Sequence, residues 1–307
     1  MPELPDITVY KECLNSKIRG KTLLNVRIKS PFLLRSVEPS VRSAEGKKVV
    51  HVRRIGKQIA IEMEDSLFLV IHLKLAGRFQ WRVPHAPITG RTVLTAFHFN
   101  TGTLLITEAG TKHRASLHVV EGEGALERFD SGGIDVFNTN IESFQNALQQ
   151  QNHTLKRALT DQRIVSGIGN AYSDEILHRA RLSPLKHTTG LDEKEMTRLY
   201  RACRSVLTEW IERLRSESEA EGGFLKKVTA FHDRMAVHGR FGKPCPVCGS
   251  PVQRIVYSEN ECNYCPSCQT GGRIFSDRSL SRILKDDWPK TLEELEGLTE
   301  RMKGTHK

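Results

Sequence analysis

The chain has 307 residues, beyond the size at which one hydrophobic core usually serves, so two domains and a small module are expected. Lys and Arg total 46 against 36 acids, a formal net charge of +10 that points to polyanionic partners. The longest apolar run, Leu67 to Leu73, is far shorter than the roughly 20 residues of a membrane helix, and the acidic, proline-punctuated start MPELPDI is unlike a secretory leader, so a cytosolic protein without a membrane span is expected.

Ile7, Tyr10, Leu14 and Ile18 recur at helical spacing, with Cys13 beside them and Gly20 as a C-terminal cap, which predicts an opening amphipathic helix. From Lys21 to Val120 the pattern changes to eight short β-rich runs: TLLNVRIK, KKVVHVRRI, QIAIEME, SLFLVIHL, RFQWRV, TVLTAFHF, TLLITE and SLHVV. Tight turns such as Asn100-Thr101-Gly102 join them, so a β-sandwich or barrel is expected rather than a parallel sheet. The segment EGEGALERFDSGGIDVFN, Glu121 to Asn138, is rich in glycine and acid and marks a domain boundary. Beyond it helices are expected at Ile141–Gln150, Thr154–Asp161, Tyr172–Arg181 and Leu191–Ser216. The expected domains are therefore 1–125, 138–235, a cysteine module at 240–270 and an extension at 271–307, where Thr291 and Glu294 form a capping box for a final helix.

Three constellations carry chemistry. Cys245-Pro-Val-Cys248 and Cys265-Pro-Ser-Cys268 are matched knuckles separated by sixteen residues, the pattern of a zinc-ribbon hairpin. A four-thiolate site leaves no open coordination position, so one structural Zn2+ is expected. Cys262 stays outside the set because Pro266 makes the second knuckle match the first, and Cys13 and Cys203 read as small core residues. The second constellation is Ile164-Val-Ser-Gly-Ile-Gly-Asn170 ahead of a helix, a turn whose N–H groups can approach a phosphate beside Lys156, Arg157 and Arg163. The third is Pro2, which exposes a secondary amine if Met1 is removed, with Glu3 adjacent to pass protons. Taken alone, a Met-Pro start is common and usually inert.

In this order, the M-P-E-L-P start, β domain, G-I-G-N turn and C-x2-C-x16-C-x2-C ribbon resemble the formamidopyrimidine-DNA glycosylase and endonuclease VIII family, from residue 1 to about 269. The resemblance implies an N-terminal β-sandwich with a leading helix, a helix-two-turn-helix domain and a zinc finger. It further implies a monomeric, nucleoid-associated bacterial-type repair enzyme, a glycosylase and abasic-site lyase acting on damaged double-stranded DNA. Pro2 then matches the nucleophile, Glu3 the catalytic acid, and Lys57 the β-domain lysine beside the lesion. His72 and Asn170 match phosphate-holding residues, Lys156 a further basic contact, and Leu75 the wedge that fills the void left by a flipped base. Arg240 is a further DNA contact, preceded by His238 in place of the family's tyrosine.

Departures from the pattern are as informative. Asp6-Ile7-Thr8 replaces Glu-Val-Glu, and Glu108 to Ala115 replaces the segment that supplies an arginine and a phenylalanine to the void, leaving Lys112, His113 and Arg114 as candidates. Asn260 stands where the ribbon turn carries an arginine, with Arg254 and Arg273 nearest in sequence. A rival reading is a DNA-damage binding protein of the same fold that has lost turnover. The stretch 222–238 lacks the long glycine-containing lid of members specialised for 8-oxoguanine, so oxidised pyrimidines and abasic sites are the expected substrates.

Overall fold

A computed structural model describes residues 1–110, 113–225, 232–257, 260–275, 289–295 and 297. The chain divides into two units: Met1–Gly132 with Leu207–Thr229, and Gly133–Val206 with Ala230–Lys307. Among the described residues no helix is long and apolar enough to cross a membrane.

The first unit opens with α1, Leu4–Ile18. The helix starts ahead of the first periodic apolar residue because Pro5 suits a first turn, where no N–H partner is needed, and Glu3 caps it. Its face of Leu4, Ile7, Tyr10, Leu14 and Ile18 is buried. The strands β1 (Leu23–Ile28), β2 (Val49–Ile55), β3 (Gln58–Met63), β4 (Leu67–His72), β5 (Gly77–Arg82), β6 (Val93–Phe99), β7 (Gly102–Glu108) and β8 (Ser116–Glu121) match the eight expected runs. Among the described residues they form two four-stranded sheets, ordered β1-β6-β7-β5 and β2-β3-β4-β8, with neighbouring strands antiparallel. These sheets make the sandwich. β6 and β7 are buried along their whole length, which is why VLTAFHF and GTLLITE show no clean polar alternation. The two-residue loop Asn100–Thr101 joins them.

The boundary segment contains structure that its composition hides. A short helix, α2 (Glu123–Glu127), buries Leu126 against Ala60, Phe68 and Val70. One large apolar residue in five cannot generate a readable period, so tertiary contact sets this turn.

In the second unit, α3 (Ile141–Gln149) is capped by Asn140, whose side chain accepts the Ser143 N–H at 2.8 Å, and α4 (Leu155–Thr160) by Thr154. α5 runs from Asn170 to Ala180, and α6 from Glu193 in this unit to Ala220 in the first. The cysteine module is a hairpin of β9 (Gln253–Tyr257) and β10 (Asn260–Tyr264) followed by α7 (Pro266–Gln269). Residues 292–295 are helical, and the Thr291 hydroxyl accepts the Glu294 N–H at 3.3 Å. The reciprocal bond goes to the Lys290 N–H, so the expected capping box is half formed.

Candidate functional site

The start of the chain sits in a nest of charge that the fold has buried. Glu3, at 2% exposure, and Asp6, at 4%, occupy the N-cap and N3 positions of α1, and the Asp6 carboxylate accepts the Glu3 N–H at 2.9 Å. Lys57, 7% exposed, lies in the β2–β3 turn, where Gly56 takes a φ of 55°. Burial pulls the N-terminal amine below its ordinary pKa, Glu3 and Asp6 oppose this, and Arg78 and Lys57 reinforce it. Pro2, Glu3, Lys57, Asp6 and Arg78 therefore share one neighbourhood. Arg78 is the member that sequence reading missed, since one arginine in a strand has no motif around it.

Burial lifts the Asp6 pKa to about 7, opposed by the Glu3 N–H it accepts. An unfolded aspartate titrates near 4, so between about pH 4 and 7 the folded chain keeps a proton that the unfolded chain releases. Stability is expected to fall as pH rises through that window, and Asp6→Asn to flatten the fall. Urea midpoints measured across the window check this, and an equal slope in both proteins would contradict it.

His72 ends β4 half-buried. Among the described residues its Nε2 has no partner, and burial, with Lys74, Lys57 and His118 adding to it, takes the ring down to about pKa 3. The imidazole is neutral, with a donor or acceptor in reserve. The next turn carries Leu75, 54% exposed. Gly77 closes it by donating its N–H to Leu73 O at 2.9 Å, where a Cβ would come within 2.3 Å of the same oxygen. An apolar tip on a closed turn suits a wedge. In the replaced segment, the buried Glu108 carboxylate accepts the N–H groups of Arg114 and Ala115, while His113 and Arg114 are exposed. Lys112 lies outside the described residues.

In the second unit the Lys156 ammonium uses all three donors: on Asn170 O (2.7 Å), Ser173 Oγ (2.8 Å) and Asp174 Oδ1 (2.5 Å). His238 Nδ1 holds the other Asp174 oxygen at 2.7 Å, which also accepts the Asn263 N–H. The Asn170 amide donates to Glu261 O at 2.6 Å, tying the start of α5 to the zinc hairpin. Lys156 thus secures α5 in place of offering a free charge. Arg240 likewise reaches the carbonyls of Asp233 and Pro244. Of the possible arginine substitutes, Arg254 pairs with Glu261 and lies over Phe241 at 4.4 Å. Breaking a buried pair costs about 3–5 kcal/mol because the other charge stays buried. With side chains 14% and 0% exposed, Lys156 and Asp174 form such a pair, and Lys156→Met is expected to lose stability of that order in urea unfolding. A loss below about 1 kcal/mol, typical of surface pairs, would contradict this.

The Sγ atoms of Cys245, Cys248, Cys265 and Cys268 lie within 4.8 Å of one another. Sulfurs about 2.3 Å from a tetrahedral ion stand just under 4 Å apart, so the four thiols fit one Zn2+. His178 Nε2, 3.3 Å from Cys245 Sγ, supports that ligand, and Cys262 is instead buried with Ile255 and Tyr264.

Residues 1–111 match the formamidopyrimidine-DNA glycosylase N-terminal domain, and residues 135–221 the formamidopyrimidine-DNA glycosylase H2TH domain. The formamidopyrimidine-DNA glycosylase of Thermus thermophilus is 35% identical, covering 89% of this chain and all of its own. That of Listeria innocua is 27% identical over 88% of this chain and all of its own. Among solved structures, the Lactococcus lactis enzyme in complex with DNA containing an abasic site has a TM-score of 0.78 at 23% identity, covering 87% of this chain and 99% of its own.

Proposed function

The chain belongs to the formamidopyrimidine-DNA glycosylase family, and on that premise we propose that it is a base-excision repair enzyme, a DNA glycosylase and abasic-site lyase that uses Pro2 as its nucleophile. The observation that carries the reading is the buried Glu3, Asp6 and Lys57, with the half-buried Arg78, around the Met1 amine. A lowered amine pKa leaves more of the nucleophile unprotonated at neutral pH, and the same surroundings act on Pro2 once Met1 is removed.

The damaged nucleotide leaves the stack, because C1′ is otherwise out of reach. The Pro2 nitrogen forms a bond to C1′ as the bond to the base breaks, and Glu3 passes the proton that the departing base takes. The resulting iminium acidifies C2′, and loss of that proton expels the 3′ phosphate by β-elimination, with δ-elimination as a further step. Lys57 holds the strand beside the lesion, Leu75 fills the vacated stack, and His72 and Asn170 take phosphate oxygens. Lys156 and Arg240 support these contacts through the loops and helix they hold. Zn2+ on the four cysteines supplies folding energy and no chemistry.

Incubation with duplexes carrying dihydrouracil, thymine glycol or an abasic site tests the reading. Strand cleavage at the lesion to an unsaturated aldehyde or phosphate 3′ end is expected. Tight binding of the same duplexes without cleavage would favour the binding-protein alternative.

A further inference from the structure

The first unit holds a pocket of about 300 Å3, lined by the successive strand residues 78–82 and by Glu221, Phe224 and Leu225 after α6. Five consecutive residues of one strand reach this cavity. β5 is the outer strand of its sheet and, among the described residues, pairs with β7 alone. Its free side therefore offers alternating main-chain N–H and C=O groups. Arg78 adds a donor fork and Glu221 a carboxylate acceptor.

Arg78 and Glu221 both line this pocket, and Arg78 links it to the reacting end of the unit. The Arg78 charge bears on the N-terminal amine and on Asp6, and the charges of Arg78 and Glu221 both bear on the Tyr10 hydroxyl. The apolar wall is firm. Tyr10 meets Phe79 edge-on at 5.4 Å and Phe224 at 6.2 Å. Trp81 stacks on Phe99 at 6.3 Å, and a Cβ on Gly102 would fall 2.4 Å from the indole, so a glycine there lets the ring lie flat.

Resting on the glycosylase reading, we propose that this pocket receives the extruded base and selects one with an imide edge, –CO–NH–CO–. Arg78 donates to a ring carbonyl, Glu221 accepts from the ring N–H, and the β5 edge matches what remains. Thymine- and uracil-derived bases, saturated pyrimidines among them, carry that edge at C2, N3 and C4, whereas the pairing edges of cytosine and the purines do not. Arg78 and Glu221 are the specificity-determining residues for this class.

The test compares single-turnover excision of dihydrouracil with cleavage of the same duplex carrying a preformed abasic site, which has no base to seat. Because Arg78 also acts on the amine, its loss affects both reactions, and the ratio of the two rates is the readout. Arg78→Ala is expected to lower that ratio at least tenfold. Arg78→Lys, which keeps the charge without the fork, should recover only part of it. Wild-type protein should excise N3-methyl-dihydrouracil at least tenfold more slowly than dihydrouracil, and Glu221→Gln should narrow that difference. The isosteric Glu221→Gln keeps the test open if Arg78→Ala fails to fold. An unchanged ratio in Arg78→Ala with an unchanged N3-methyl difference in Glu221→Gln, or equal excision of the N3-methyl base by the wild type, would overturn the pocket assignment while abasic cleavage remained intact. Wild-type protein that cleaves no abasic duplex would overturn the glycosylase reading itself.

Discussion

Glu3→Gln is expected to slow excision of dihydrouracil by about 10²–10⁴-fold, the range a positioned acid or base contributes. The side chain is buried at the N-cap of α1, 2% exposed, and glutamine fills the same volume without a transferable proton. The bond from the Glu3 N–H to Asp6 belongs to the main chain and survives the change, so the helix start and the amine keep their places. A preformed abasic site has no departing base, and its cleavage should slow less than excision does. Single-turnover rates on both duplexes measure the effect. Excision within threefold of wild type would show that another group handles the proton.

Loss of zinc should have the second large effect. A structural Zn2+ site contributes about 10–16 kcal/mol of apparent binding energy, against about 5–15 kcal/mol for the net stability of a whole domain. At the knuckle end of the hairpin the buried cluster of Val237, Cys245, Val252 and Cys265 includes two of the ligands themselves, so that end depends on the metal. The damage should spread to α5, because β10 holds Asn170 through Glu261 O and Asp174 through the Asn263 N–H. Cys265→Ser, or chelation of the wild-type protein, is expected to remove one equivalent of zinc and weaken duplex binding at least tenfold. Cys262→Ser should leave the metal in place. Elemental analysis paired with fluorescence anisotropy decides, and zinc-free protein binding at full affinity would contradict the assignment.

What the residues disclosed follows from how locally each feature is encoded. The strands β1 to β8 announce themselves through β-branched runs and tight turns, and the zinc hairpin through two C-P-x-C knuckles. The α2 turn did not, because Leu126 finds its partners on β3 and β4 and nothing within the segment 121–138 marks it. Asp6 was legible as a shortened carboxylate, but its pKa near 7 comes from burial, which sequence does not display. Lys156 and Arg240 look like free cations in the sequence. Asp174 and two backbone carbonyls, respectively, give them structural partners that only folding brings near. Arg78 and Glu221 lie 143 positions apart and line one pocket, a proximity no spacing rule reveals. The stretch read as lacking a purine lid falls partly on 226–231, outside the described residues.

Borohydride reduction during turnover on an abasic or dihydrouracil duplex identifies the nucleophile, because it freezes the iminium as a stable amine. One covalent protein–DNA adduct is expected, with the modified peptide beginning at Pro2 and Met1 absent. An adduct on a lysine such as Lys57, or on an amine of retained Met1, would contradict it.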